Sequence, residues 1–163
     1  MSQNGNAAVE PAKGSKSARP DRPGKMARVL VVDDSPVSRT MVSAHLRDEQ
    51  FEPEEAENGA IAIEKASSTR FDLILMDIQM PVMDGYQAIR AIREREKAHG
   101  LEPVAIIAFT ISSFEEDVRQ ALDCGADMHV SKPVQKAALL DAIRSLIRFD
   151  AAGSARRRNE AAA

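Results

Sequence analysis

Three short runs of uninterrupted apolar residues constrain this chain most: Val29-Leu30-Val31-Val32, Leu73-Ile74-Leu75-Met76, and Val104 through Phe109. None shows the polar alternation of a strand with one wet face. Runs of this kind are buried on both faces, as central strands of a parallel sheet are. A shorter run, Met128-His129-Val130, ends the series. Glu52 to Ala56 is a weaker strand candidate. Pro53 cannot donate a ladder hydrogen bond, so it confines that strand to a sheet edge.

Segments of helical period lie between the runs. Val37, Met41, Val42 and Leu46 follow Ser35-Pro36, a cap residue with Pro at the first helical position. Gly59 to Ser68 is a weaker helix with Ile61 and Ile63. Tyr86, Ile89 and Ile92 follow Asp84, and Gly100 closes that helix. Phe114, Val118, Ala121 and Leu122 keep the spacing of an amphipathic helix. Ser113 and Glu116 read as its capping box, and Gly125 ends it. Leu139, Ile143, Leu146 and Ile147 repeat the spacing in a last helix. Alternating β and α segments argue for an α/β fold, with a parallel sheet and helices on both faces.

The folded domain is predicted over residues 27–149 of a chain of 163. Residues 1–26 are rich in Ala, Gly, Ser, Pro and Lys/Arg and read as a disordered tail. Residues 150–163, Ala-rich with Arg156, Arg157 and Arg158, read the same way. The Arg triplet could touch an acidic partner, but it reads as a solvated tail. Aromatic residues make up 4 % of the chain and Trp is absent, so the core is aliphatic. A net charge of −3 gives no global argument for binding nucleic acid or an anionic membrane. Cys124 stands alone, without a disulfide or zinc partner, and reads as an inert residue near a helix end. A reducing compartment, the cytoplasm, fits. No apolar run approaches the ~18 residues of a membrane span, and no apolar stretch of a signal peptide opens the chain. His45 and His99 fall on helices and read as solvated surface. Met76, Met80 and Met83 read as core and loop packing.

Sites in open α/β sheets form beyond the carboxyl ends of the strands. The first strand ends in Asp33-Asp34, the third in Asp77, the fourth in Thr110, and the fifth in Ser131-Lys132. Any one of these could be a turn or capping residue, but all of them at one edge is hard to assign to capping. Carboxylates held close repel one another unless a cation compensates. An all-oxygen acidic site with open positions suits Mg²⁺, which keeps waters and binds substrate phosphate. A carboxylate there can attack phosphorus and form an acyl phosphate. Lys132 and Thr110 are of the types that stabilise a transferring phosphoryl group. Asp77, on the central strand, is the candidate nucleophile.

VDDSPVSR, LILMDIQMPVMDG, AFTISS and GADMHVSKP, in that order, resemble the motifs of the receiver domain of two-component response regulators. The resemblance spans residues 27–149. It implies a flavodoxin-like sheet of five strands in the order 2-1-3-4-5, an order carried over with the resemblance. It also implies roles. Asp77 would accept a phosphoryl group from a phosphohistidine on a histidine kinase or histidine phosphotransfer protein. Asp33, Asp34, Asp77 and the backbone carbonyl of Gln79 would hold Mg²⁺. Lys132 would pair with a phosphate oxygen, Thr110 would shift to bond the phosphoryl group, and the Lys132-Pro133 bond would be cis. The face of the fourth helix, fifth strand and fifth helix would meet a downstream protein.

Two positions depart from the family pattern. Ile111 stands where a small residue is usual; it either narrows access for a phosphodonor or water, or packs on the adjacent helix. His129 stands where the switch residue is usually Tyr or Phe. With only tails flanking the domain, the expectation is a signalling module rather than a turnover enzyme. It would act by binding partners, or as a phosphate shuttle or sink. An excised receiver of a hybrid histidine kinase is the variant reading; Met1 and the hydrophilic tail favour a stand-alone protein. A phosphate-independent interaction module is the degenerate alternative. An aspartyl-phosphate hydrolase fits less well, because its signature places two acids two residues apart on the first strand.

Overall fold

Successive residues of a strand point to opposite faces, so an apolar run in a central strand must feed two cores. The structure, a computed structural model, shows this arrangement and describes residues 26–149 and 155–157. The tails expected over 1–25, 150–154 and 158–163 lie outside the described residues.

Among the described residues, twelve elements follow in order: β1 (Arg28–Val32), α1 (Pro36–Asp48), β2 (Glu52–Ala56), α2 (Gly59–Ser68), β3 (Leu73–Asp77), α3 (Gly85–Ala98), β4 (Ala105–Thr110), α4 (Glu115–Asp123), β5 (Met128–Ser131), α5 (Lys136–Leu146), β6 (Ile147–Phe149) and β7 (Ala155–Arg157). The first five strands form one sheet in the order β2-β1-β3-β4-β5, and every pair in it is parallel. This is the expected order, with the Pro53 strand at an edge.

Leu30, Val32, Ile74, Met76, Ile106 and Ala108 face one core, closed by Ala62 of α2, Ala88, Ile89 and Ile92 of α3, and Ala121 of α4. Val29, Val31, Leu73, Leu75, Ile107 and Phe109 face the other, closed by Val42 and Leu46 of α1 and Leu139 and Ile143 of α5. Each fully buried Leu or Ile contributes about 1.5–3 kcal/mol, so the runs fix both the sheet and the helix that covers each face. No helix among the described residues is long and apolar enough to cross a membrane.

Four local expectations are corrected. The N-cap of α4 is Phe114, in extended conformation and without a side-chain cap bond, so the Ser113/Glu116 capping box does not form. Ser112 acts instead: its hydroxyl bonds the Asp117 carboxylate and accepts from the Phe114 N–H at 3.3 Å. Phe114 and Leu122 consequently lie exposed, and only Ala121 of that helix is buried. The last helix stops at Leu146; Ile147 is buried but belongs to β6. β6 pairs antiparallel with β7, so residues 155–157 return to the chain rather than trailing away. His45 is half-buried, while His99 is exposed as expected.

Candidate functional site

The sheet register brings the polar strand ends to one edge. Asp77 pairs across from Phe109, and Thr110 from Ser131. Asp33 directly follows β1, and Lys132 directly follows β5. Asp33, Asp77 and Thr110 are buried, whereas Asp34 is exposed. One carboxylate oxygen from each of Asp33, Asp34 and Asp77 lies within 4.8 Å of the others.

Lys132 joins two of the acids. Its Nζ donates to Asp33 Oδ2 at 2.8 Å and lies 3.2 Å from Asp77 Oδ2. Asp33 is further held by the Ser35 N–H on Oδ1 at 2.8 Å and the Ser38 hydroxyl on Oδ2 at 2.6 Å. Among the described residues, Asp77 Oδ1 receives only the Gln79 N–H, at 3.2 Å.

The two buried acids therefore ionise differently. Burial disfavours the charge on both. In Asp33, bonds from Lys132, Ser38 and Ser35 outweigh burial and hold the carboxyl below its usual range. In Asp77, burial dominates and the Asp33 charge adds to it. Lys132 only partly offsets them, and the carboxyl is pushed up to about 6. For Lys132, the two carboxylates outweigh burial and raise the ammonium above its ordinary value. One acid is firmly anionic and tethered; its neighbour is lightly held. The lightly held one is the more basic carboxylate.

The set is all oxygen, with one exposed member and Lys132 as the local cation. That donor chemistry fits Mg²⁺, a hard ion that keeps several waters. Gln79 is exposed at the edge of the site. The Lys132-Pro133 bond is cis. Thr110 lies at the same edge, but its hydroxyl accepts from the Ser112 N–H at 3.0 Å and donates to the Ser112 carbonyl at 3.3 Å. Beside it, a cavity of about 330 Å³ is walled by Gln79, Tyr86 and Asp117. Ile111, next to Thr110 in the chain, is 67 % exposed, so it is not packed on a helix. His129 is half-buried in β5, and its Nε2 is buried without a hydrogen-bond partner among the described residues.

The sequence reading missed the holders of Asp33. Ser38 and Arg39 sit in the first turn of α1, and Arg39 Nη1 donates to the Asp33 carbonyl at 2.7 Å. The available signal was a pair of polar residues, Ser38-Arg39, about one helical turn beyond the acid pair.

Comparison with known proteins places this geometry. The response regulator receiver domain family matches residues 29–144. Chemotaxis protein CheY of Halobacterium salinarum is 38 % identical over 121 residues, covering 74 % of this chain and 96 % of that protein. Hybrid signal transduction histidine kinase L of Dictyostelium discoideum is 39 % identical over 136 residues, 81 % of this chain. The chain spans only 8 % of that kinase's length. Among solved structures, the receiver domain of Saccharomyces cerevisiae Ssk1, in co-crystal with the histidine phosphotransfer protein Ypd1, aligns with a TM-score of 0.71 at 32 % identity, over 74 % of this chain and 88 % of that one. The receiver domain of the Pseudomonas aeruginosa sensor histidine kinase PA1611, with magnesium in its active-site cleft, aligns at 0.66 and 34 % identity, over 73 % and 95 %.

Proposed function

The chain belongs to the response regulator receiver domain family, and from that premise we propose that Asp77 is its phosphoryl acceptor. The observation that carries the reading is Asp77 itself: a lightly held carboxylate 3.2 Å from Lys132 Nζ, beside two further acids. In the reaction, an Asp77 oxygen attacks the phosphorus of a phosphohistidine. The O–P bond forms, the P–N bond breaks, and the departing imidazole takes up a proton. Lys132 leaves the carboxylates to pair with a phosphoryl oxygen, and Thr110 turns from Ser112 toward the same group. Asp33, Asp34, Asp77 and the Gln79 carbonyl would hold Mg²⁺, which supplies charge compensation for the acids and the incoming phosphate.

The donor we propose is a protein, a histidine kinase or a histidine phosphotransfer protein. Val37 in the first turn of α1, Val82 in the β3–α3 loop, and Ile111 and Phe114 in the β4–α4 loop are exposed apolar side chains at the site's edge. An acidic centre with an apolar rim suits an apolar protein face carrying one reactive group. Exposed Leu122 on α4 supports the α4–β5–α5 face as the surface read by a downstream protein. The module signals, in the cytoplasm, rather than turning over a substrate.

Incubation with Mg²⁺ and acetyl phosphate, followed by intact-mass measurement, tests the reading. One added phosphoryl group is expected in the parent and none in Asp77→Asn. Equal labelling of both proteins, or none in a folded parent, would reject it.

A further inference from the structure

Asp33 is held on both of its carboxylate oxygens. Its Oδ2 accepts two bonds, from Lys132 Nζ at 2.8 Å and from Ser38 Oγ at 2.6 Å. The two donors differ in permanence. Lys132 also serves Asp77, at 3.2 Å, and in the proposed transfer it moves to the phosphoryl group. The Ser38 hydroxyl is committed to Asp33, because the cap of α1 is supplied by Ser35 instead.

The main chain beneath Asp33 is held from the same helix. Arg39 Nη1 donates to the Asp33 carbonyl at 2.7 Å, and its Nε lies 3.5 Å from Glu55 Oε2. Glu55 Oε1 in turn accepts from the buried Ser43 hydroxyl at 2.8 Å. The first turns of α1 thus grip one acid at both its side chain and its backbone, with β2 as the anchor.

We propose that Ser38 is a positioning residue for the metal site. Its hydroxyl keeps the Asp33 carboxylate in its ligating orientation when Lys132 departs, so the site does not loosen at the moment the phosphoryl group arrives. Groups that orient a metal ligand without touching the metal typically contribute 10–100-fold in affinity. The proposal rests on the receiver reading above and adds a residue to it.

The test uses the full chain and the variants Ser38→Ala and Ser38→Thr. Mg²⁺ binding is followed by titration calorimetry, and acetyl-phosphate labelling by intact mass as a function of Mg²⁺. Ser38→Ala is expected to weaken Mg²⁺ binding by about tenfold and to raise the half-maximal Mg²⁺ for labelling by a similar factor. The shortfall should close as Mg²⁺ is raised. Ser38→Thr, which keeps the hydroxyl, should restore the parent's affinity; Ser38→Ala also loses a bond to a buried carboxylate and some stability with it, so binding is compared without urea, where each variant is fully folded by its spectrum. A purely structural role would not move the Mg²⁺ dependence alone. If Ser38→Ala binds Mg²⁺ within twofold of the parent, or Ser38→Thr fails to restore a lost affinity, the proposal falls and the receiver reading stands. If the parent itself neither binds Mg²⁺ nor is labelled, both fall together.

Discussion

Asp77 is 3 % exposed at the end of a strand whose other residues are wholly buried. Its carboxyl, pushed to about 6 chiefly by burial, stands against an ordinary value of 3.8. The sign of the effect on stability follows from proton counting. Between those two values the folded protein binds more protons than the unfolded chain, so stability falls as pH rises through that window, and the deficit is complete above it. Asp33 has the opposite sign, its stabilising contribution being lost as pH falls through its depressed value; because its charge also helps to raise Asp77, the difference between parent and variant reports the coupled pair. At 1.36 kcal/mol per unit, Asp77→Asn is expected to be about 1–3 kcal/mol more stable than the parent near neutral pH without metal. The difference should shrink toward about pH 4, near the ordinary aspartate value. Urea unfolding at both pH values in a chelating buffer checks it; a variant no more stable at neutral pH would mean that burial of the charge costs little. Gly85 constrains the same strand end by close approach. A Cβ there would lie 2.3 Å from the Asp77 carbonyl oxygen and 2.7 Å from Ile78 Cα. Both are backbone atoms and cannot swing aside, so Gly85→Ala is expected to cost about 1–3 kcal/mol and to slow labelling of Asp77. Urea titration and intact mass report the two effects.

Elements are legible in the sequence where one physical cause dominates. The central strands β1, β3 and β4 can be read because burial on two faces leaves no room for polar residues, and the site acids can be read because they terminate those strands. The start of α4 misleads because Phe114 happens to continue the spacing of Val118, Ala121 and Leu122. As an N-cap in extended conformation, it directs its ring away from the helix's buried face. β6 reads as helix because Ile147 keeps helical spacing with Ile143, and a three-residue strand carries little pattern of its own. At the site, the acids and Lys132 can be placed, but the bonds of Thr110 to Ser112 cannot, since they depend on the path of the β4–α4 loop. That loop decides the reading of Ile111. Being 67 % exposed beside Thr110, it adds little to packing, which leaves control of access as the reading to test. Ile111→Ala is expected to change stability by no more than about 0.5 kcal/mol while speeding labelling by acetyl phosphate several-fold. Unchanged kinetics would remove Ile111 from the control of access.

At the scale of the whole molecule, the two edges of the sheet divide the work. Chemistry gathers at the carboxyl edge, and a charged clamp closes the amino edge. Arg93 donates to the Gly125 carbonyl at 2.9 Å, the Val104 carbonyl at 2.8 Å, Glu96 Oε2 at 2.7 Å and Asp127 Oδ2 at 3.0 Å. Glu96 is itself buried, and its Oε1 accepts from the Val104 N–H at 2.7 Å. One guanidinium thereby ties α3 to the entry of β4 and to the turn into β5. Gly125, at φ +114, completes the fit: a Cβ there would come within 2.7 Å of Arg93 Cγ. Removing one partner of a buried pair is costlier than the pair is worth, because it leaves a charge without its cation. Arg93→Met is therefore expected to lose about 3–5 kcal/mol, and Glu96→Gln in the same chain should recover part of it by neutralising the stranded carboxylate while keeping an acceptor for Val104. Labelling of Asp77 in the folded fraction should remain within about twofold of the parent, a change of well under 1 kcal/mol, since no group of the clamp reaches the acids. Urea unfolding and intact mass, run on the same samples, separate the two edges. Parallel loss of labelling and stability at urea-free, fully folded conditions would show that the clamp also sets the geometry of the opposite edge, through the packed strands between them.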